Sequence, residues 1–326
     1  NITGWSAGYF DVGEAGQLLA LPAGSPDSPA VDLHALAHML RDAGLSWPVL
    51  VRFTDILHQQ VDRLCGAFDA AIDARQYDAG YTAVYPIKVN QQQHVVDAIV
   101  QHGGERVGLE AGSKPELLAI IAISLANGII ICNGYKDAEY IRLALQAQRL
   151  GHRVTLVIEK LSELELVIHV AEELQLRPHL GLRVRLSAAT AGNWQNTGGD
   201  RSKFGFTAAG VFALLERVRA AGLQDCLQLL HCHPGSQVSS LADLRRALTE
   251  VARTWVALRN AGVPIDSVDV GGGVGVDYEG TASNSSCSIN YSIEDYAHTV
   301  VDVFATICRE ARLSAPALLS ESGRLL

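Results

Sequence analysis

Lys88 stands in the string Tyr85-Pro86-Ile87-Lys88-Val89-Asn90, behind an apolar run and a proline. A lysine so placed is fixed and partly buried, and burial lowers the pKa of an amine, which leaves it free to form a Schiff base with a carbonyl carbon. A solvated surface lysine is the plainer alternative. His231-Cys232-His233 has a spacing that could ligate a metal, but no second cluster of His, Cys or carboxylate lies nearby in the sequence. Packing one imidazole on a flat ring is the other use of the pair. Gly271-Gly272-Gly273 follows Asp269-Val270 and is not a G-x-G-x-x-G dinucleotide fingerprint, because the last glycine position is Val276. No Walker lysine follows it either. A cradle of backbone N–H groups for phosphate and a simple tight turn both fit. Arg324, in Glu321-Ser322-Gly323-Arg324, tilts the choice towards phosphate.

A repeated element is needed to bring these residues together. From about residue 50 the chain alternates strand and helix, and Leu57, Val61, Leu64, Phe68 and Ile72 recur at helical spacing. Short β-prone runs are expected at 82–87, 107–109, 129–132, 154–158, 180–186, 226–232, 267–270 and 317–319. Two of the helices between them open with capping boxes, Ser113 with Glu116 and Ser162 with Glu165. Eight β-then-α units predict a (β/α)8 TIM barrel over 51–326. Its last helix is expected to be missing, which leaves an apolar seam open and lowers solubility. A doubly wound open sheet is the rival, although it rarely needs eight such regular units. In the barrel, active-site residues collect at the C-terminal strand ends. Lys88, Glu110, Asn133, Glu159, Arg183, His231, His233, Asp269, Glu321 and Arg324 then face one bowl, with Arg183 and Arg185 on one strand face. Residues 1–50 read differently, as short strands around Asp11-Val12-Gly13-Glu14 and a Pro/Gly/Ser turn region at 22–29. They form a small β element that belongs to another layer.

The net charge is −9 and there are no basic runs, which argues against a general nucleic-acid binder. An acidic balance suits attraction of cationic substrates, and it equally suits plain solubility. The longest apolar stretch, Leu117 to Cys132, is interrupted by Ser124, Asn127 and Gly128 and is too short for a membrane span. The six cysteines are scattered, with no CxxC pair, which predicts a reducing, cytoplasmic setting without disulfides.

Taken together, Tyr85-Pro-Ile-Lys88-Val-Asn90, His233-Pro-Gly-Ser236, Gly271-Gly-Gly273 and Glu321-x-Gly-Arg324 resemble the fold-type III pyridoxal-phosphate (PLP) decarboxylases, which share the alanine racemase barrel. Gly108-Leu-Glu-Ala-Gly-Ser-Lys-Pro-Glu116, Asn193-Trp-Gln195, Ser202-Lys-Phe-Gly205 and the run from Asp269 to Tyr278 are similar to the arginine-specific branch of that family. The resemblance covers nearly the whole chain. It implies that Lys88 holds PLP covalently, that Glu321 faces the pyridine nitrogen and that His233 stacks on the ring. It implies a phosphate site of Ser236, Gly271, Gly272, Gly273, Gly323 and Arg324. Glu110 and Glu116 would be acidic groups beside the cofactor, with Arg183 or Arg185 as partner. Asp269, Val270, Gly271, Gly272, Gly273, Val274, Gly275, Val276, Asp277 and Tyr278 would border the substrate, and Asp277 and Asp200 are candidates for holding a guanidinium. The implied reaction converts L-arginine to agmatine and CO2, an entry step to putrescine and spermidine synthesis. Ornithine, lysine or diaminopimelate are alternative substrates, and a non-catalytic regulator of the same fold is an alternative of another class. The resemblance also implies Mg2+, without a ligand set, and a homo-oligomer with shared sites. A C-terminal β domain with a proton-donating cysteine belongs to the family pattern and is not in this chain, so poor turnover by the chain alone is expected.

Overall fold

The computed structural model describes residues 2–25, 28–187 and 204–326. The chain opens with α1 (Ile2–Trp5) and a three-stranded antiparallel sheet of β1 (Phe10–Val12), β2 (Leu18–Ala20) and β3 (Val31–Asp32). Asp32 then caps α2 (Leu33–Asp42), accepting from the backbone N–H of His34 and Ala35. Val12, Leu18, Met39, Trp47 and Leu50 are exposed on this N-terminal part.

The barrel follows α3 (Thr54–Arg75). It runs β4 (Tyr81–Pro86), α4 (Gln93–Gly103), β5 (Val107–Ala111), α5 (Lys114–Ile123), β6 (Ile129–Cys132), α6 (Ala138–Arg149), β7 (Arg153–Ile158), α7 (Leu161–Leu174), β8 (His179–Arg183), α8 (Ala208–Ala220), β9 (Leu227–His231), α9 (Leu241–Asn260), β10 (Ser267–Asp269), α10 (Ile293–Ala311) and β11 (Ala317–Glu321). Each strand pairs in parallel with the next, and β11 returns to β4, closing an eight-stranded barrel. The open-sheet alternative is excluded by that closure. Among the described residues no helix is long and apolar enough to cross a membrane.

Three local expectations are corrected. The seam between the last and first barrel strands is not open, because α3 packs between α10 and α4 and covers it. Phe68 of α3 stacks on Tyr81 of β4 at 3.5 Å between ring centroids, and Arg63 pairs with Glu294 of α10. Neither expected capping box forms. Ser113 is the N-cap of α5, but its hydroxyl makes no cap bond, and Glu116 instead accepts from the Gly112 N–H at 2.7 Å. Ser162 lies inside α7, whose N-cap is Lys160, while Glu163 accepts from the Glu159 N–H at 2.9 Å. Glu116 is thus drawn to the N–H at a strand end rather than to its own helix start, and Glu165, the partner expected for Ser162, pairs instead with Arg217 of α8. A capping box does form at Ser292 and Asp295, opening α10.

Strand alternation sorts the barrel lumen into layers. Val84, Ile131, Val157, Leu229 and Leu319 form an apolar plug. Gly181 completes it, since a Cβ there would lie 3.0 Å from Leu229 and 3.1 Å from Val157. Two residues further along the same strands the side chains become polar: Asn133, Glu159, Arg183, His231 and Glu321, joined by Glu110 of β5. The pleat therefore places the chemistry directly above the plug.

Candidate active site

Glu321 lies at the centre of the polar layer. Its Oε1 accepts from the Asn133 amide and lies 3.3 Å from His231 Nε2. These residues come from β11, the end of β6 and β9, which are not neighbours in the barrel order, so they meet only across the lumen. Burial alone would raise the Glu321 carboxyl, but His231, Lys88 and His233 outweigh it and hold the group down at about 2. Asp269 is fully buried and goes the other way. Burial and the neighbouring Glu321 and Glu110 push it well above the carboxylate range, although one oxygen accepts from the Gly271 N–H.

Lys88 reaches in from the turn after β4 and donates to Glu110 Oε2 at 2.8 Å. Neither the expected burial nor the expected fall in its pKa is found: the Lys88 side chain is 54% exposed. Such burial as it keeps lowers the pKa, but Glu110, and beyond it Glu321 and Glu116, hold the ammonium above the ordinary lysine value. Glu110 is pushed up to about 7 by burial and by Glu321, against the pull of Lys88. Several buried atoms of this cluster have no hydrogen-bond partner: Glu110 Oε1, Asn133 Oδ1, Asp269 Oδ2 and both ring nitrogens of His231.

Above the cluster lies a cavity of about 170 Å3, lined by Lys88, His233, Ser236, Gln237, Gly272, Gly273, Val274, Glu321, Gly323 and Arg324 among others. His233 is pushed down to about 4, chiefly by burial and then by Arg183. It is a neutral imidazole at neutral pH. On the far wall Arg324 donates to Gln237 Oε1 at 2.9 Å and to Ser236 Oγ at 3.4 Å. Gln237 also clamps Val276, accepting from its N–H and donating to its carbonyl. The sequence reading missed Gln237, which directly follows the Ser236 that it did single out. Gly271 has φ +70° and a Cβ there would lie 2.1 Å from the Cys232 carbonyl. Gly273 has φ +105° with the Gly235 carbonyl 2.5 Å from such a Cβ, so the run must be glycine for the backbone to turn past the wall.

The stretch proposed for substrate divides. Asp269 and Val270 are buried at the strand end, while Gly272, Gly273 and Val274 line the Lys88 cavity. Gly275, Val276 and Asp277 line a neighbouring cavity of about 570 Å3 shared with Trp5, Tyr9 and Arg63. Asp277 binds its own loop, accepting from Thr281 N, Ala282 N and the Ser288 hydroxyl, and Tyr278 is exposed. Asp200, Asn193-Trp-Gln195 and Ser202-Lys203 lie outside the described residues.

The partner expected for Glu110 and Glu116 is also corrected. Arg183 pairs with Glu159 at 3.0 Å, and Arg185 donates to the Gly205 carbonyl. Arg183 and Glu159 belong to a second cluster that sequence reasoning missed in part. Lys136, fully buried, donates to the Gly134 carbonyl at 2.7 Å and lies 3.8 Å from Glu163. Glu159 also accepts from the Gly134 N–H at 3.3 Å. Lys136 stands in Asn133-Gly-Tyr-Lys-Asp137, which reads as a solvated turn before a helix.

A phosphorylated pyridine aldehyde fits: an amine, a buried carboxylate, a flat neutral imidazole and a glycine–serine–arginine wall surround one cavity, with unpartnered polar atoms beneath it. Mg2+ does not fit. His231, Asp269 and Glu321 bring one possible ligand atom each within 4.8 Å of one another. That set is one imidazole and two carboxylates, one of them held protonated, whereas Mg2+ takes an octahedron of oxygens and keeps several waters.

Comparison with known proteins agrees with this geometry. Residues 59–326 match the family model for the pyridoxal-dependent decarboxylase, pyridoxal binding domain. The chain is 52% identical to a biosynthetic arginine decarboxylase of Alkalilimnicola ehrlichii over 326 residues, which is 100% of this chain and 52% of that protein. It is 50% identical to the enzyme of the same name from Pseudomonas aeruginosa, covering 100% and 51%. Among solved structures, a biosynthetic arginine decarboxylase of Campylobacter jejuni superposes with TM-score 0.88 at 32% identity, covering 99% of this chain and 52% of that one. A diaminopimelate decarboxylase of M. jannaschii in complex with L-lysine superposes with TM-score 0.74 at 20% identity, covering 99% and 67%, and shows the shared fold. The chain spans about half the length of the curated relatives it matches.

Proposed function

The chain belongs to the pyridoxal-dependent decarboxylase family, and from that premise we propose that it is the cofactor-binding part of an enzyme that converts L-arginine to agmatine and CO2. The observation that carries the reading is the single cavity on which Lys88, His233, Ser236, the glycine run, Glu321 and Arg324 converge. When bound, PLP supplies the electron sink for the bond electrons left at Cα as CO2 departs. Every other task falls to the protein.

In this proposal Lys88 is the amine that holds the cofactor and later moves protons. Glu110, 2.8 Å from it and titrating near neutrality, exchanges a proton with Lys88 Nζ. Glu321, held ionised, keeps a proton on the ring nitrogen. His233, kept neutral, offers a flat face for the ring without adding a charge to be desolvated. Ser236, the N–H groups of Gly272 and Gly273, Gly323 and Arg324 hold the phosphate, for which N–H cradles and a guanidinium are suited, while Gly271, whose N–H is taken by Asp269, turns the chain into the cradle. Arg183 acts at one remove, through Glu159 and by its charge near His233. The substrate stretch from Asp269 to Tyr278 enters through Gly272–Val274 and through the adjoining cavity at Gly275–Asp277. Mg2+ has no fitting set among the described residues, so no step is routed through it. We place the protein in the cytoplasm as a homo-oligomer with shared sites, without nucleic-acid or membrane partners. The unpaired cysteines suit a reducing compartment.

Decarboxylation of ornithine, lysine or diaminopimelate is the nearest alternative. A non-catalytic regulator is disfavoured because Lys88, Glu321 and Arg324 all face one cavity. The test is CO2 and amine release by the full-length protein with PLP, on a panel of the four amino acids. Agmatine formation at the highest kcat/KM supports arginine. Preference for another substrate overturns the substrate, and no release from any overturns the decarboxylase reading.

A further inference from the structure

His231 has no task in the scheme above, yet its setting is unusual. It is 1% exposed, Nδ1 has no hydrogen-bond partner, and Nε2 has only Glu321 Oε1 at 3.3 Å, short of a well-formed bond. Buried polar atoms are nearly always satisfied, and each exception calls for an explanation. The residue two positions earlier on the same strand face, Leu229, is part of the apolar plug, so a leucine would fit this lumen by the local pattern.

The groups around His231 and Glu321 can be paired one by one. Lys88, after β4, is taken by Glu110 of β5 at 2.8 Å. Arg183 of β8 is taken by Glu159 at 3.0 Å. Asp269 of β10 uses one oxygen on the Gly271 N–H. Asn133, after β6, donates its amide to Glu321. Cys232 and His233 follow His231 just past the end of β9, and His233 lines the cavity above. Two side chains are left for Glu321: His231, with Nε2 3.3 Å from Oε1, and Asp269, whose second oxygen has no other partner.

We propose that His231 is a positioning residue for Glu321: an N–H on Nε2 aims the Glu321 carboxylate and keeps it ionised, so that Glu321 can hold a proton on a ring nitrogen bound above it. The proposal rests on the PLP reading of the cavity. The 3.3 Å separation is a loose bond, as is common in unliganded sites whose hydrogen bonds tighten once the ligand is in place. His231 also lowers the Glu321 carboxyl by its charge and by hydrogen bonding, in line with the geometry.

The experiment is 15N NMR of the full-length protein loaded with PLP labelled at the ring nitrogen, for wild type, H231F, H231Q and E321Q. The wild type is expected to show a protonated ring nitrogen, and E321Q a neutral one. H231F is expected to lose the ring proton at lower pH than wild type, and H231Q, which keeps an amide donor, to lie between. The accompanying loss in kcat is on the order of 10–100-fold, as for partners that orient a ligand group in metal sites, with KM changed little. If E321Q alters the ring signal and H231F does not, this inference is wrong and the PLP reading stands. If E321Q leaves the signal unchanged, the role given to Glu321 is wrong as well. Should H231F fail to fold or load, 15N-histidine spectra of the unliganded wild type decide. Nε2 of His231 must carry a proton and must respond to E321Q, and a bare Nε2 overturns the proposal.

Discussion

Two buried charge clusters lie side by side at the top of the barrel, and they are built on opposite principles. Lys136, Glu159, Glu163 and Arg183 form a closed set, in which every charged group meets an opposite charge or a backbone partner. Glu110, His231, Asp269 and Glu321 crowd two carboxylates around one imidazole, with a third beside Glu321, and leave several polar atoms unpartnered. A closed set locks strand ends together. An open set stores unmet hydrogen bonds that a ligand can complete, and it lies directly beneath the cavity. The comparison separates residues that build the rim from residues that serve the site.

The largest expected effect lies in the closed set. Lys136→Met leaves Glu163 and Glu159 short of a buried cation, and it is expected to cost about 3–5 kcal/mol in denaturant unfolding. The double variant K136M/E163Q is expected to recover much of that, because removing both partners is far cheaper than stranding one. Failure to recover would mean that Lys136 acts beyond this pair. In the open set the balance reverses. Glu321→Gln is expected to lower kcat by at least about 100-fold, the low end for loss of a group that manages a proton. Its unfolding midpoint should fall, since His231, Lys88 and His233 outweigh burial to hold this carboxyl down at about 2 and neutralisation forfeits that pairing, but by less than in K136M because the glutamine keeps an acceptor for Asn133. Equal losses of stability in E321Q and K136M would erase the distinction.

Gly273→Ala probes the wall. The φ of +105° and the 2.5 Å approach to the Gly235 carbonyl predict strain of about 1–3 kcal/mol. It should appear as weaker binding of PLP and of inorganic phosphate, measured by calorimetry, with unaltered affinity a contradiction. The smallest effect concerns pH in the unliganded protein. The unfolded Glu110 titrates near 4.3, and in the folded chain it is pushed up to about 7 by burial and Glu321. Between those values the folded state holds a proton that the unfolded state has lost, so this group makes stability fall as pH rises. His233, pushed down to about 4, acts oppositely between about 4 and 6.5. The comparison is therefore wild type against E110Q: relative to the variant, the wild type should lose stability from about pH 4.3 to 7 and then level off.

Much of this was legible in the sequence. The run at 129–132 is a strand with the expected bounds, and the polar residues after each apolar run do face one bowl, because a pleat repeats every two residues. The misreadings share a cause. Glu116 and Glu165 look like helix caps in the linear chain, but the strand-end N–H of Gly112 claims the first and Arg217 of α8 the second. Lys88 was expected to lose basicity by burial, and a carboxylate from the next strand reverses the sign. Lys136 looks like a turn residue and is instead wholly buried. Local pattern specifies the elements, whereas the pairing of charges is decided across strands that are distant in sequence.

The most direct test of the central claim is whether PLP becomes attached at Lys88. The protein is incubated with PLP, reduced with borohydride, digested and mapped by mass spectrometry, beside K88A. The account predicts a pyridoxyl modification on the peptide carrying Lys88 at one equivalent per chain, absent from the variant. Modification scattered over surface lysines, or equal labelling of wild type and K88A, would contradict it.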